Sequence, residues 1–139
     1  MTKTVVYQVR VEFGDCDPAR IVWFPNFFRW IDASSRHFFV SCGVPSWQVT
    51  EATMGILGTP LVDTQASFRK TASYGDELQI HTSVTEWREK VLIHKHVVKR
   101  GDTVLCEGTE TRAWCARDPD NHERIKAVRI PDEIRALCS

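Results

Sequence analysis

The chain has 139 residues, enough for one domain that buries roughly 68% of its unfolded surface without disulfides or metal. Its 18 basic and 18 acidic side chains cancel, which argues against a general nucleic-acid binder, whose phosphate contacts need a surplus of Lys and Arg. No apolar stretch approaches the roughly 20 residues of a membrane-spanning helix, and no apolar signal core opens the chain, so a single cytoplasmic domain over residues 1–139 is expected.

Val5, Tyr7, Val9, Val11 and Phe13 alternate with Val6, Gln8, Arg10 and Glu12, which predicts a strand over Thr4–Phe13. After a loop, residues 26–42 carry Phe27, Phe28, Trp30, Ile31, Phe38 and Phe39 at three- and four-residue spacings, and Gly43 and Pro45 follow. This predicts one helix of about 17 residues, too aromatic to lie on a surface. From Pro60 the period changes. Strands are expected over 61–69, 77–88, 91–100 and 103–117, the last two joined at Gly101 and Asp102 as a hairpin. A short strand over 125–130 and a helical turn over 131–137 complete the chain. The order predicts an α+β fold in which a largely antiparallel sheet curls around one long helix. Such a sheet leaves free edges, which predicts pairing into a dimer. Cys16, Cys42, Cys106, Cys115 and Cys138 are scattered and form no CxxC pair, as expected of buried free thiols in a reducing compartment.

Chemistry concentrates in two places. Gly14, Asp15, Cys16, Asp17 and Pro18 sit where the first strand hands over to the helix. Carboxylates there first have an ordinary turn-forming role, with a catalytic loop on a rigid scaffold as the alternative. Residues 86–100 carry five basic against two acidic side chains, a local excess suited to a small phosphorylated ligand. His94 and His96 share a strand face and His81 lies on a neighbouring strand, but no Cys or acid completes a zinc set at ligand spacing, so no metal is expected. No G-x-S-x-G nucleophile motif occurs.

Asp15-Cys16-Asp17-Pro18-Ala19, then Ile21 to Asn26, with Arg29, Trp30 and Asp32, resemble the signature of the hotdog-fold acyl-CoA thioesterases, in the 4-hydroxybenzoyl-CoA thioesterase branch. Further matches run through Cys42-Gly43, Gly58-Thr59-Pro60, Ala66-Ser67-Phe68, Thr71 to Tyr74, Glu86-Trp87-Arg88 with Lys90, and Leu137-Cys138-Ser139. The resemblance implies a hotdog fold, with an antiparallel sheet of five or six strands around the central helix. It also implies a homodimer as the minimum unit, a homotetramer by likeness, and active sites between subunits. The implied activity is hydrolysis of an acyl-CoA thioester with an aromatic acyl group, without a cofactor. Short aliphatic acyl groups, or a noncatalytic acyl-CoA-binding module on the same fold, are the alternatives.

Carried over by position, Asp17 is the essential carboxylate, as nucleophile or as base for water, and Phe24 supplies a backbone N–H to the oxyanion. Trp23, Phe27, Asp32 and Thr59 are expected around the acyl group, Asp32 reading a ring hydroxyl. Arg88 and Lys90 are expected on the phosphates of coenzyme A. Arg20 stands where the family usually has Gly, and Glu89 where the 4-hydroxybenzoyl-CoA branch resembled here has a second basic residue. The chemistry is sufficient in itself. A thiol with pKa near 8.5 leaves as thiolate without a strong general acid, so one carboxylate and one oxyanion donor meet the need.

Overall fold

The computed structural model describes residues 2–139. Strand β1 runs over Thr4–Arg10, where Val5, Tyr7 and Val9 turn inward at period two. It stops short of Phe13. A single 3-10 turn over Phe13–Asp15 takes over, and Phe13 stands 81% exposed instead of continuing the apolar face. Helix α1 spans Pro25–Ser41, with Pro at its start, where a missing N–H costs nothing. It buries Phe27, Trp30, Ile31, Ser34, Ser35, Phe38 and Phe39.

Helix α2, Trp47–Met54, was not expected. Its local signals are a Ser46 hydroxyl accepting the Val49 N–H at 3.4 Å and Gly55 at φ 73° closing the end. Short strand β2 (Ile56–Gly58) follows, then β3 (Leu61–Phe68), β4 (Glu77–Trp87), β5 (Val91–Arg100) and β6 (Thr103–Ala113). The long strand expected over 103–117 breaks at Trp114. Residues beyond the break form β7 (Cys115–Arg117), which pairs with β2 and with β8 (Ile125–Ala127) in a second, three-stranded sheet. Helix α3, Asp132–Leu137, ends the fold. No helix among the described residues is long and apolar enough to cross a membrane.

The main sheet has the order β1-β4-β5-β6-β3, every neighbour antiparallel, and α1 lies against its concave face. Gly108 lets the helix seat there. A Cβ at this position would meet Ile31 Cδ1 at 3.1 Å and the Gln65 carbonyl oxygen at 3.2 Å. Toward the helix start the core joins Trp30 and Ile31 to Leu78, Ile80 and Leu105, and toward its end Phe38 and Phe39 pack with Leu92, Trp114 and Ile130. Each such side chain contributes roughly 2 kcal/mol on burial. Strand β3 is left at one edge, with Leu61, Val62 and Phe68 exposed.

Between the two apolar clusters lies a buried polar layer. The β5–β6 register sets His94 opposite Glu110. Ser34, Ser35, Thr82, His94, His96 and Glu110 are all buried. The histidines therefore face the helix, not solvent, while His81 falls on the alternate, partly exposed side of β4 next to buried Thr82. His81 therefore does not share the layer with His94 and His96.

Candidate active site

The loop from 16 to 22 is a tight hairpin. Cys16 and Val22 form a bridge, the Asp17 N–H donates to the Ile21 carbonyl at 2.9 Å, and the Arg20 N–H donates to the Asp17 carbonyl at 2.8 Å. Closing it forces Arg20 to φ 69°, the left-handed region that costs a non-glycine residue about 1–2 kcal/mol. That geometry explains why a glycine suits the position. Arg20→Gly is expected to raise stability by roughly 0.5–1 kcal/mol, the relief of strain offset by the entropy of glycine, as read by urea unfolding.

Asp15 holds the loop together. Its side chain accepts the Glu12 N–H at 2.8 Å and pairs with Arg29 at 2.8 Å, and its carbonyl accepts from Asn26 Nδ2 and from the Trp23 N–H. Asp17 is less committed. Its Oδ1 accepts the Ala19 N–H at 2.8 Å, and its other oxygen makes no hydrogen bond among the described residues. It lines an open cleft of about 550 Å³ with Phe13, Cys16, Pro18, Arg20 and Tyr74.

At the helix entrance the N–H groups of Trp23, Asn26 and Phe27 are all used, donating to Asp15, Trp23 and Phe24 carbonyls, and Pro25 has none. Phe24 alone keeps an unengaged N–H there among the described residues, at the positive end of a 17-residue helix. The Trp23 and Phe24 rings are exposed. Phe27 is not at the surface with them. It is 4% exposed and packs edge-on against Trp30 and Phe68, because its helical position turns it into the core.

Asp32 and Thr59 lie elsewhere on the chain. They line a second cavity of about 520 Å³ together with Ser35, Arg36, Trp47 and Arg112, and it shares no residue with the Asp17 cleft. The Asp32 side chain is 69% exposed and pairs with Arg112 on β6, at 2.6 Å. Arg36 stacks over the Trp47 ring at 5.0 Å. Arg88 and Lys90 sit at the β4–β5 turn with exposed side chains, and Arg88 pairs with exposed Glu86. The turn's backbone is pinned from behind, as the Arg88 and Glu89 carbonyls accept from Arg135 Nη2 of α3.

Arg112, Glu110 and Trp47 were not foreseen as site residues. Glu110 and Arg112 stand two apart on a strand, the spacing of one face, but an inward-facing Glu and Arg become meaningful only once the register is known. Burial tends to raise the Glu110 carboxyl, yet hydrogen bonds from His96 and Arg112 outweigh it and hold the pKa down to about 2.

Comparison with known proteins agrees with this architecture. The Thioesterase-like superfamily profile matches residues 11–137. The chain is 46% identical, over all of both chains, to the 4-hydroxybenzoyl-CoA thioesterase of Pseudomonas sp. (strain CBS-3). A crystal structure of the D17N mutant of 4-hydroxybenzoyl-CoA thioesterase, complexed with 4-hydroxybenzoyl-CoA, is 44% identical, with a TM-score of 0.92 over 98% of this chain and 99% of that one. A gentisyl-coenzyme A thioesterase structure is 30% identical, with a TM-score of 0.80 over 96% of this chain and 98% of that one. The sheet wrapped on α1 is a hotdog fold, and the chain belongs to the Thioesterase-like superfamily.

Proposed function

We propose that the protein hydrolyses an aromatic acyl-CoA to the free acid and coenzyme A, at a site completed by a second copy of the chain. The observation carrying this reading is the division of labour within one chain. Asp17 with a free oxygen and Phe24 with a free N–H lie at one end of α1, while Asp32 and Thr59 line a separate cavity. Each half is incomplete alone. The exposed edge strand β3 and the exposed rings of Phe13, Trp23, Phe24 and Tyr74 offer the surface through which two copies would bring the halves together.

In this site the thioester carbonyl oxygen faces the Phe24 N–H, which takes up the negative charge as the carbon becomes tetrahedral. Attack comes from the free Asp17 oxygen, or from a water whose proton Asp17 removes. Either way the C–S bond breaks and the thiolate leaves, and one water is consumed overall. The second cavity's Trp47 and Arg36 provide a flat wall for a ring, and the Asp32 oxygen not used by Arg112 can accept a hydroxyl proton. The related enzyme whose D17N mutant was crystallised with 4-hydroxybenzoyl-CoA supports the same assignment of substrate class. Five unpaired cysteines suit a reducing cytoplasm.

Arg88 and Lys90 are assigned to the nucleotide phosphates of coenzyme A, where Arg88's pairing with exposed Glu86 costs little to break. Replacing both by Ala is expected to raise KM about tenfold or more with a smaller change in kcat, and added salt should raise the wild-type KM. Thiol release from 4-hydroxybenzoyl-CoA and from 4-hydroxybenzoyl-pantetheine is the test. An equal KM for the two substrates would remove the phosphate contacts from the account, and no thiol release from either would overturn the hydrolase reading.

A further inference from the structure

The second cavity is held in shape by one buried side chain. Arg112 is 6% exposed, and its guanidinium reaches three separate elements. Nη2 donates to Asp32 Oδ1 on α1 at 2.6 Å, and Nη1 donates to the Thr59 carbonyl, between β2 and β3, at 2.9 Å. Nη2 and Nε donate to the two Glu110 oxygens, at 2.6 Å and 3.2 Å. Glu110 is fixed in turn, because its Oε1 accepts from His96 Nε2 at 2.7 Å and from the Ser35 hydroxyl. His96 Nδ1 meets Thr82 Oγ1 at 2.7 Å, and Thr82 meets Ser34 at 2.7 Å. A rigid network therefore runs from the helix–sheet interface to the two polar groups that face the cavity.

A planar guanidinium bonded on several sides has little freedom to turn, so it orients its partners as well as neutralising them. Burying such a group gives little net stability over apolar packing of the same volume, which leaves its geometric effect as the physical gain. His94, His96 and Glu110 also have the donor types of a metal centre, with ligand atoms within 4.8 Å of one another. The arrangement favours protons over an ion. Both Glu110 oxygens are already taken, and a divalent cation would sit across Glu110 from the Arg112 charge.

Resting on the reading of this cavity as the acyl pocket, we propose that Arg112 is its positioning residue: clamped from behind by Glu110 and His96, it fixes the Asp32 carboxylate and the Thr59 carbonyl relative to each other, and so sets the discrimination between acyl rings with and without a hydroxyl. Arg112 acts through Asp32 and makes no contact with the reacting thioester.

The test compares kcat/KM for 4-hydroxybenzoyl-CoA and benzoyl-CoA in the wild type, in Arg112→Lys, and in Glu110→Gln/Arg112→Met. The double variant removes both buried charges together, so no unpaired carboxylate is left to unfold the chain. The preference for the hydroxylated substrate should fall at least about tenfold in the double variant, chiefly through KM, and Lys should restore part of it. Adding Asp32→Ala to the double variant should lower the preference no further, since both changes remove the same oriented carboxylate. A preference kept in the folded variants, or losses that simply add, would overturn the proposal. So would a stoichiometric metal ion retained by the wild type and needed for that preference. A wild type that hydrolyses both substrates without discriminating overturns the role of Arg112 and leaves the hydrolase reading standing. A wild type inert toward every acyl-CoA overturns both.

Discussion

Asp17→Asn is expected to lower kcat by at least about a hundredfold, the usual cost of removing a positioned nucleophile or general base. The fold should survive it. The only bond the side chain makes among the described residues is as acceptor for the Ala19 N–H, and an amide oxygen accepts that bond equally well. The lost element is the anionic oxygen that has no other partner, so the effect should fall on turnover and leave the unfolding midpoint nearly unchanged. Asp15→Asn is the contrasting case. Its carboxylate is spread between the Glu12 N–H and Arg29, so its loss should loosen the loop with a smaller fall in kcat. Steady-state thiol release and urea unfolding on both variants separate the two effects. A folded Asp17→Asn protein turning over at the wild-type rate would take Asp17 out of the mechanism.

Acid should destabilise the protein well above the range in which carboxylates titrate, and His94 is the reason. Its ring lies on β5 against Phe38 and Phe39 of α1, at 4.7 Å and 5.2 Å between centroids, and its Nε2 has no hydrogen-bond partner among the described residues. Burial above all, then the neighbouring His96 and Arg112, push its pKa down from 6.5 to about 3, although Glu110 pulls the other way. In the unfolded chain the same ring takes up a proton near 6.5, so below that pH the unfolded state binds more protons and stability falls with pH. The loss should reach about 2 kcal/mol between pH 6.5 and 4.5, and about 4 kcal/mol by pH 3. Glu110, held near 2, adds a loss of the same sign only below its ordinary value of 4.5. His94→Gln offers Ser35 a similar hydrogen-bonding group without the titration. It should flatten the stability profile between pH 6.5 and 4.5, as measured by urea midpoints. A variant with the wild-type slope would place the acid sensitivity elsewhere.

The parts of the fold that were legible are those where one period dominates. The aromatic spacing of 26–42 located α1 to within a residue at each end, and β5 agrees at both ends, since turn residues bound both segments. What was missed involved competition between local pattern and distant pairing. The residues around Trp114 continue a strand pattern, but the backbone turns there: the Trp114 N–H donates to Lys90 and its carbonyl accepts from Val128, which starts the second sheet. Phe13 keeps the period of β1 but lies beyond the last paired residue, Arg10.

The same division applies to the site. Asp17 and Phe24 entered through the family resemblance, and both lie in local features, a short loop and a helix start. The link from Asp32 to Arg112 spans 80 residues and depends on the β6 register. The reading that no acid completes a set with His94 and His96 failed for a related reason, since Glu110 reaches them only through the β5–β6 pairing. Period two establishes that His94 and His96 share a face, but not which face meets the helix.

The proposed site needs the Asp17 cleft of one chain and the Asp32–Thr59 cavity of another. Co-expression of Asp17→Asn with Thr59→Phe, whose larger side chain fills the second cavity, tests it most directly. Each homodimer alone would lack one half at both sites, whereas a mixed dimer regains one site built from two intact halves and one site with both defects. Random pairing then predicts recovery of about a quarter of the wild-type rate of thiol release from 4-hydroxybenzoyl-CoA, from two nearly inactive parents. Mixed dimers, separated by distinct affinity tags and folded like the wild type, that release thiol no faster than the parents would contradict a site shared between two copies.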